Sequence, residues 1–295
     1  MMQPFKPYSL NLRGRIVTIG RPWVMGIVNI TPDSFYGGSR TFDSGSLARR
    51  VEQLLAEGAD VLDVGACSTR PGSESVSEQG EMERLSWALA VIRRVSPDVV
   101  LSVDTYRSAV ARRCVEEWGV DIINDISGGT IDPDMFSTVA QLRVPYVLMH
   151  MRGTPQTMAG MTDYDNVTAD VVEWLARRID ELRQLGGTDV IADPGFGFAK
   201  TLEQNYEMLA RLEMFHALDV PLLVGVSRKR MIYTPLDCDA QGALNGTTVI
   251  NTLALERGAH ILRVHDVKAA VQAVKLMTMV RDNAPAAINS TTISL

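Results

Sequence analysis

Three acidic or amide side chains follow apolar segments in a way that suits binding of a flat, polar ring. Asp193 ends the apolar run 190–192 and is followed at once by Pro194, while Asp104 and Asn124 end two other apolar runs. A carboxylate can pair in a bidentate fork with a ring N–H beside an amino group. Each residue alone is more typical of a helix N-cap. Three of them at the ends of different segments favour a site for an amide-like heterocycle.

A second group of side chains suits an anion. Arg263 and His265 alternate with apolar residues on one predicted strand, so both point to the same side of it. Ser227, Arg228 and Lys229 follow another apolar run. Cations at strand ends beside a helix N-terminus are typical of a phosphate site. A core histidine and a solvated Arg-Lys pair are the alternatives, and the strand-end positions favour the anion site.

Asn29, before Thr-Pro-Asp, is a candidate ligand for hydrated Mg²⁺. This ion keeps most of its waters and needs few protein oxygens. The same residues also suit a simple turn. The chain has no zinc-type spacing and no phosphate-binding P-loop motif. Cys67 lies at a strand end, but no neighbouring base is visible, so we interpret it as a neutral thiol.

The elements that must position these residues repeat eight times. Eight short apolar runs end in polar groups and alternate with segments that carry apolar residues at helical spacing. The runs cover residues 24–30, 61–64, 99–103, 122–123, 146–148, 190–192, 222–226 and 261–262. This alternation predicts an α/β fold, a parallel (β/α)₈ TIM barrel, with its active site at the C-terminal ends of the strands.

The sequence predicts one domain in three parts. Residues 1–23 are predicted to form a short hairpin that caps the closed end of the barrel, and residues 24–282 the barrel itself. Residues 283–295 lose the helical pattern and are predicted to be a flexible tail. The loops 31–43 and 67–77 contain glycine and proline and are candidate mobile loops over the site.

Composition excludes several other classes of protein. Hydrophobic residues make up 46% of the chain, but no apolar run approaches the roughly 20 residues of a membrane span. The net charge of -6 gives no general attraction for nucleic acid. The three cysteines are widely spaced and the first ten residues lack a signal-peptide core. We therefore expect a cytoplasmic protein with small-molecule substrates.

An ordered set of motifs between residues 24 and 280 resembles the dihydropteroate synthase family. The motifs are MGIVNITPDSF (25–35), STRPG (68–72), SVDT (102–105), IND (123–125), MHMRGTP (149–155), DPGFGF (193–198), SRK (227–229) and RVHD (263–266). Each motif alone is only suggestive, but the ordered set is specific. The resemblance implies a Mg²⁺-dependent transferase that joins 4-aminobenzoate to 6-hydroxymethyl-7,8-dihydropterin diphosphate and releases pyrophosphate and 7,8-dihydropteroate.

The resemblance also implies roles for individual residues. Those expected to hold the pterin are Asp104, Asn124, Met149, Asp193 and Lys229. Those expected to hold the diphosphate are Asn29, Thr69, Arg263 and His265, with Asn29 also contacting Mg²⁺. Those expected around the aminobenzoate are Phe35, Thr69, Arg70, Pro71 and Ser227. The catalytic set is Asp193, Lys229, Arg263 and His265.

The chain departs from the family pattern at two places. Ala66-Cys67 stands where the family commonly has Gly-Glu, and Arg230 stands where it commonly has Ser. Both lie near the expected aminobenzoate side. Two alternatives are a pterin-binding paralogue without catalytic activity and a module that presents methyltetrahydrofolate to a corrinoid partner. The second has no use for a diphosphate site, and no corrinoid-binding domain follows in this chain.

The resemblance further implies a homodimer. The last two predicted helices carry more apolar residues than packing on a barrel requires: Val249, Leu253, Val271, Val274, Leu276, Met277 and Met279. The alternative is that these residues form only the inward faces of the helices.

Overall fold

The chain begins with a β-hairpin that is fixed by its turn. The computed structural model describes residues 5–30, 36–37, 41–67 and 76–284. Strands β1 (Tyr8–Leu12) and β2 (Arg15–Ile19) pair antiparallel. The two residues between them, Arg13 and Gly14, have φ of 50° and 81°. Positive φ at both positions is the type I′ geometry whose twist matches that of the strands.

Eight parallel strands form the barrel. They are β3 (Trp23–Asn29), β6 (Val61–Gly65), β7 (Val100–Asp104), β8 (Ile122–Asp125), β9 (Tyr146–Met149), β10 (Val190–Asp193), β11 (Leu223–Val224) and β12 (Ile261–Val264). Hydrogen bonds link them in the order β10-β9-β8-β7-β6-β3-β12-β11. A parallel bridge between Ala192 and Leu222 joins the two edge strands. The predicted (β/α)₈ barrel is confirmed. Two short strands, β4 (Tyr36–Gly37) and β5 (Thr41–Phe42), pair separately.

Helices alternate with these strands and pack on the outside of the barrel through faces on which apolar residues recur. The helices are α1 (Ser44–Ala56), α2 (Glu78–Val95), α3 (Ser108–Trp118), α4 (Met135–Leu142), α5 (Val167–Gln184), α6 (Leu202–Ala210), α7 (Arg230–Tyr233), α8 (Leu244–Glu256) and α9 (Val267–Asp282). Short 3₁₀ turns cover Met158–Gly160 and Leu212–Leu218. In α5, Val171, Leu175 and Ile179 are buried, as their spacing predicts.

The hairpin closes one end of the barrel. Leu10, Leu12 and Ile19 are buried in one apolar cluster with residues that begin the barrel strands, such as Met25 and Val61. Arg13 adds an ion pair, because its Nε donates to the fully buried carboxylate of Asp121 at 2.6 Å. With this end filled by apolar side chains, polar groups have space only at the opposite end, where the strands terminate.

Two elements differ from their predicted bounds. Strand β11 is two residues long rather than five, and just before it the Leu222 N–H donates to Nδ1 of His260 at 3.1 Å. The segment 229–241 after β11, whose sequence predicts a long loop, contains the short helix α7. Residues 285–295 and most of the first two loops lie outside the described residues, so the predicted tail and loop mobility stay predictions. In the part of the chain that is described, every helix is too short or too polar to cross a membrane.

Candidate active site

Three strands supply a largely buried ion cluster at the open end of the barrel. Arg263, on β12, donates from Nε to Oδ2 of Asp63 at 2.6 Å and from Nη2 to Oδ2 of Asp104 at 2.7 Å. Asp63 is fully buried. Both Arg263 and Asp104 were predicted site residues, and the structure brings them into direct contact. The guanidinium group is thereby fixed at the floor of the open end.

Asp63 is a site residue that the sequence analysis missed. Besides Arg263, Asp63 contacts two other side chains. Asn124 Nδ2 donates to Asp63 Oδ2 at 3.1 Å, and the Ser102 hydroxyl donates to Asp63 Oδ1 at 2.6 Å. Asp63 thus orients Asn124 and Arg263 together. The available signal was an acidic residue in the middle of the apolar strand Val61–Gly65, where only a paired carboxylate is tolerated.

The opposite wall carries Asp193 and Lys229. Asp193 is buried at the end of β10, and its Oδ1 accepts the Gly195 N–H at 2.8 Å. A methyl group placed on Gly225 would lie 3.9 Å from Asp193 Oδ2 and 3.8 Å from Arg263 Cβ. Because Gly225 has no side chain, a space about the size of a methyl group remains between the aspartate and the arginine.

Lys229 is held on the same wall by the turn after β10. Its Nζ donates to the Phe196 carbonyl at 2.7 Å and lies 4.7 Å from the centre of the Phe198 ring. Burial lowers the pKa of Lys229 to about 8, against the opposing effect of Asp193. Burial also raises the pKa of Asp193, while Lys229 and Arg263 act to lower it. Each group stabilises the charged form of the other.

Asp104 has an environment of its own. Burial raises its pKa to about 7, and the Arg263 guanidinium works in the opposite direction. Neighbouring carboxylates, with Asp63 first among them, add to the rise. A carboxyl group that is costly to ionise gains from ligand donors as well as from Arg263. Such perturbed groups in one cleft are typical of functional sites.

An apolar wall adjoins these polar groups. Met149, which was predicted to contact the pterin, is buried in a small cluster with Ile126, Met151, Met158 and Ala199. The partly buried rings of Tyr106 and Phe198 pack against this cluster. A flat ring can therefore place its faces on apolar atoms while its edge meets carboxylates and amides, which is the usual composition of a small-molecule site.

The predicted anion-binding residues lie at the ends of β11 and β12. The His265 backbone N–H donates to the hydroxyl of buried Ser227 at 3.1 Å, and His265 Nδ1 lies 3.1 Å from the same oxygen. Arg228 instead forms a bidentate pair with Asp266, at 2.8 and 2.7 Å. Asp266 thus offsets part of the charge that Arg228 offers to an anion, and the expected contribution of Arg228 and Lys229 to the site stays a prediction.

Asn29 is the last residue of β3 and is exposed. It pairs with Gly65 on β6, and Gly65 in turn pairs with Asp104 on β7. Asn29 therefore lies in the same layer of the barrel as the predicted pterin residues. Among the described residues, no group of three or more His, Cys, Asp and Glu side chains is placed to hold a metal ion.

The aminobenzoate side is described only in part. Phe35, Thr69, Arg70 and Pro71 lie outside the described residues. At the edge of that gap, burial raises the pKa of Cys67 to about 12, with Glu81 contributing and Arg107 opposing. A thiol with so high a pKa is protonated at neutral pH, which agrees with the interpretation of Cys67 from sequence as a neutral thiol.

Gly195 shapes the wall that carries Asp193, so we predict a large effect of Gly195→Ala. Its φ is +72°, and a Cβ would lie 2.0 Å from the His150 carbonyl oxygen. We expect the free energy of unfolding to fall by about 3 kcal/mol, from left-handed strain and overlap together. Chemical denaturation measures this. The matched control is Gly14→Ala, since Gly14 has φ +81° but no atom within 4 Å; equal losses in the two variants would contradict the steric part.

Known proteins share this architecture and sequence. A family model described as pterin binding enzyme matches residues 25–265. The dihydropteroate synthase of Synechocystis sp. is 40% identical over 259 residues, which cover 87% of this chain and 89% of that protein. The Yersinia pestis dihydropteroate synthase, solved with a sulfonamide drug, has a TM-score of 0.86 at 36% identity. The match covers 93% of this chain and 100% of the Yersinia pestis chain. The Xanthomonas albilineans enzyme with 4-aminobenzoic acid has a TM-score of 0.85 at 38% identity, with coverages of 95% and 100%.

A barrel whose buried acids and amides gather at the strand ends, matched by that family model over most of its length, defines an enzyme of the pterin-binding class. The relatives identify the family within this class, because each of them is a dihydropteroate synthase and each aligns with most of this chain. The chain belongs to the dihydropteroate synthase family, whose members are transferases of folate synthesis.

Proposed function

We propose that the protein condenses 4-aminobenzoate with 6-hydroxymethyl-7,8-dihydropterin diphosphate to give 7,8-dihydropteroate and pyrophosphate. The observation that carries this proposal is that Asp104 contacts Arg263, that Asn124 is linked to Arg263 through Asp63, and that Asp193 and Lys229 lie close enough for their charges to act on each other and on Arg263. The xanthomonad relative solved with 4-aminobenzoic acid supports the second substrate.

The pterin ring fits this site by its polar edge. Asp193 and Asp104 accept hydrogen bonds from ring N–H and amino groups, as carboxylates do from guanidine-like edges. Asn124 supplies an amide whose orientation is set by Asp63. Lys229 donates to the ring's acceptors, and Met149 packs on its face. Together these contacts fix the position of the ring in the site.

The reaction then needs placement and charge stabilisation more than proton transfer. The bond between the methylene carbon and the diphosphate oxygen breaks first, in a dissociative step. The electron-rich dihydropterin stabilises the carbon cation that develops. Arg263 and His265 stabilise the negative charge on the leaving diphosphate. The aniline nitrogen of 4-aminobenzoate then bonds to the cation and loses a proton to solvent.

We propose that Mg²⁺ accompanies the diphosphate. The donor set fits this ion, because Asn29 is exposed at the strand end and carries one amide oxygen, while Mg²⁺ takes its remaining ligands from water and phosphate. When bound, the ion would neutralise charge on the diphosphate. Thr69, which lies outside the described residues, belongs to the same proposed diphosphate site.

Pyrophosphate release tests the proposed function. Purified protein is mixed with the pterin diphosphate and Mg²⁺, with and without 4-aminobenzoate, and pyrophosphate and dihydropteroate are measured together. We expect equimolar products that require both substrates, and loss of the reaction when a chelator removes Mg²⁺. Pterin binding without turnover would support the paralogue without catalytic activity. Binding of methyltetrahydrofolate in preference to the diphosphate would support the methyl-transfer module.

The pH dependence of the reaction is a further prediction. Burial lowers the pKa of Lys229 to about 8, so the free enzyme loses the ammonium charge as pH rises through that value. We expect kcat/KM for the pterin diphosphate to fall on this alkaline side, because kcat/KM reports groups of the free enzyme. Lys229→Arg keeps its charge at all these pH values. The kcat/KM of Lys229→Arg is expected to be lower but to show no decrease on the alkaline side. An unchanged alkaline decrease in this variant would mean that another group causes it.

The aminobenzoate site is proposed around Ser227, with Phe35, Thr69, Arg70 and Pro71 from the undescribed loops. Sulfonamide binding at this site is part of the proposal, since the Yersinia pestis relative was solved with such a drug. Arg230 begins α7 directly after Lys229 and is exposed. Its charge adds attraction for a carboxylate that a serine hydroxyl at this position lacks.

We also propose a homodimer formed through α8 and α9. Val249, Leu276 and Met279 are 50%, 68% and 62% exposed, whereas Val274 is buried and belongs to the inward face. A groove between the two helices, lined in part by Leu244 and Leu276, runs across this surface. Sedimentation velocity of Leu276→Glu is expected to show monomers where the wild type is a dimer; a wild-type monomer would overturn the proposal.

A cytoplasmic location remains part of the proposal. Its support is that Cys67, Cys114 and Cys238 are all unpaired in the structure, as thiols are in a reducing compartment.

A further inference from the structure

A lysine outside the set assigned to the substrates lies directly behind the pterin wall. Lys200 Nζ donates to the carbonyl oxygens of Gly195 at 3.1 Å and Phe198 at 3.0 Å. It also lies 3.0 Å from Nδ1 of His150, a residue that is 1% exposed. The three acceptors match the three N–H donors of an ammonium group. Lys200 therefore ties the turn after β10 to the end of β9.

The turn that Lys200 holds has an unusual backbone. Gly195, Gly197 and Ala199 have φ of 72°, 80° and 49°, so three of five consecutive residues are left-handed. For Ala199 this conformation costs about 1 kcal/mol. Left-handed residues alternating with ordinary ones bring the carbonyls of Gly195 and Phe198 to a common point. A donor at that point stabilises a conformation that the local sequence does not favour by itself.

The same turn places two proposed pterin ligands. The Gly195 N–H holds Oδ1 of Asp193 at 2.8 Å, and the Phe196 carbonyl holds Nζ of Lys229 at 2.7 Å. The first contact is made by Gly195, whose carbonyl Lys200 also binds, and the second by Phe196, which lies between Gly195 and Phe198. A change at Lys200 is thus transmitted to Asp193 and Lys229 through no more than two residues of backbone on each side.

We propose that Lys200 is a positioning residue for pterin binding, which acts by holding the turn 194–199 so that Asp193 and Lys229 face the ring together. This inference rests on the proposed function, since it takes a pterin as the ligand. Lys200 does not contact the ring itself, because its donors point at Gly195, Phe198 and His150.

The hydrogen bonds persist over a range of pH. Burial lowers the pKa of Lys200 to about 7, with Asp193 opposing and with Lys229 and Arg152 adding to the shift. Burial likewise lowers the pKa of His150 to about 2, so its ring is neutral. Above the lysine pKa, the other neutral tautomer of His150 donates to the amine, which still donates to both carbonyls. The turn is held in both states.

Pterin affinity and steady-state kinetics of Lys200→Met test the proposal, because methionine keeps the length of the side chain and removes its donors. The probe is 6-hydroxymethylpterin, titrated by calorimetry. We expect Kd to rise about tenfold, which corresponds to the loss of one or two charge-assisted hydrogen bonds between the ring and the displaced Asp193 and Lys229. KM for the pterin diphosphate should rise in step, with KM for 4-aminobenzoate unchanged. Lys6→Met, an exposed lysine at the closed end, is the matched control and should bind as the wild type does.

A double-mutant cycle separates positioning from a general loss of stability. If Lys200 acts by placing Lys229, the effect of Lys200→Met on Kd shrinks to about twofold in a Lys229→Met background. The same factor in both backgrounds, or a change in melting temperature with Kd unaltered, would overturn the inference. Wild-type protein that fails to bind the pterin would overturn the proposed function and this inference with it, whereas equal binding by wild type and Lys200→Met overturns the inference alone.

Discussion

Asp193→Asn is expected to lower kcat/KM for the pterin diphosphate by about a hundredfold or more, which corresponds to about 3 kcal/mol. The amide has the shape of the carboxylate and can keep the Gly195 N–H on its oxygen. Its amino group then takes the place of Oδ2, the atom beside Gly225 that faces the open space. A donor there meets the donors of the pterin edge and of Lys229, so an attraction becomes a repulsion.

Calorimetry with 6-hydroxymethylpterin and initial rates of pyrophosphate release measure this change. Because the loss is one of pterin binding, KM and Kd for the pterin should carry most of it, and the affinity for 4-aminobenzoate measured alone should stay the same. Asp98→Asn removes an exposed carboxylate distant from the site and serves as the control. Unaltered pterin affinity in Asp193→Asn would remove Asp193 from the site and with it the proposed orientation of the ring.

The alternation of apolar runs and helical segments was enough to predict most of the fold. A parallel barrel needs apolar strands that are buried on both faces, and such runs are visible locally, as in Val190-Ile191-Ala192 before Asp193. The residues at the ends of these runs must meet because all eight strands point the same way. Asp104, Asn124 and Asp193 were therefore predictable as neighbours at the strand ends. The structure links Asp104 and Asn124 through Arg263 and Asp63, and Asp193 lies near enough to Arg263 to feel its charge.

Contacts between distant segments were not predictable in this way. Arg228 looked like a cation of the site, yet it pairs with Asp266, which is 38 residues away along the chain. Lys200 was not singled out from the sequence, and two of its three acceptors meet at one point because the turn before it is left-handed at three positions. Neither pairing leaves a local pattern, because both depend on which loops the closed barrel brings together.

The largest expected effect on stability is that of Asp63→Ala. The fully buried carboxylate of Asp63 contacts Arg263, Asn124 and Ser102. Its removal leaves a buried guanidinium with one carboxylate in place of two, and two polar side chains without their acceptor. We expect the free energy of unfolding to fall by about 4 kcal/mol. Chemical denaturation measures it, and Glu117→Ala, which breaks an exposed pair with Arg113, should leave it almost unaltered.

The double variant Asp63→Ala/Arg263→Met distinguishes the two tasks of this pair. Removing the guanidinium leaves Asp104 without its cation, but burial already raises the pKa of Asp104 to about 7. This carboxyl group can therefore take up a proton, so we expect about 2 kcal/mol of the lost stability to return. Activity should not return, because Arg263 is a proposed diphosphate ligand and Asn124 remains unoriented. Recovery of stability without recovery of pyrophosphate release would show that the buried pair costs stability and is kept for the site. Recovery of both would mean that Arg263 only neutralises Asp63 and Asp104, and would assign the leaving-group charge to His265 and the undescribed loops.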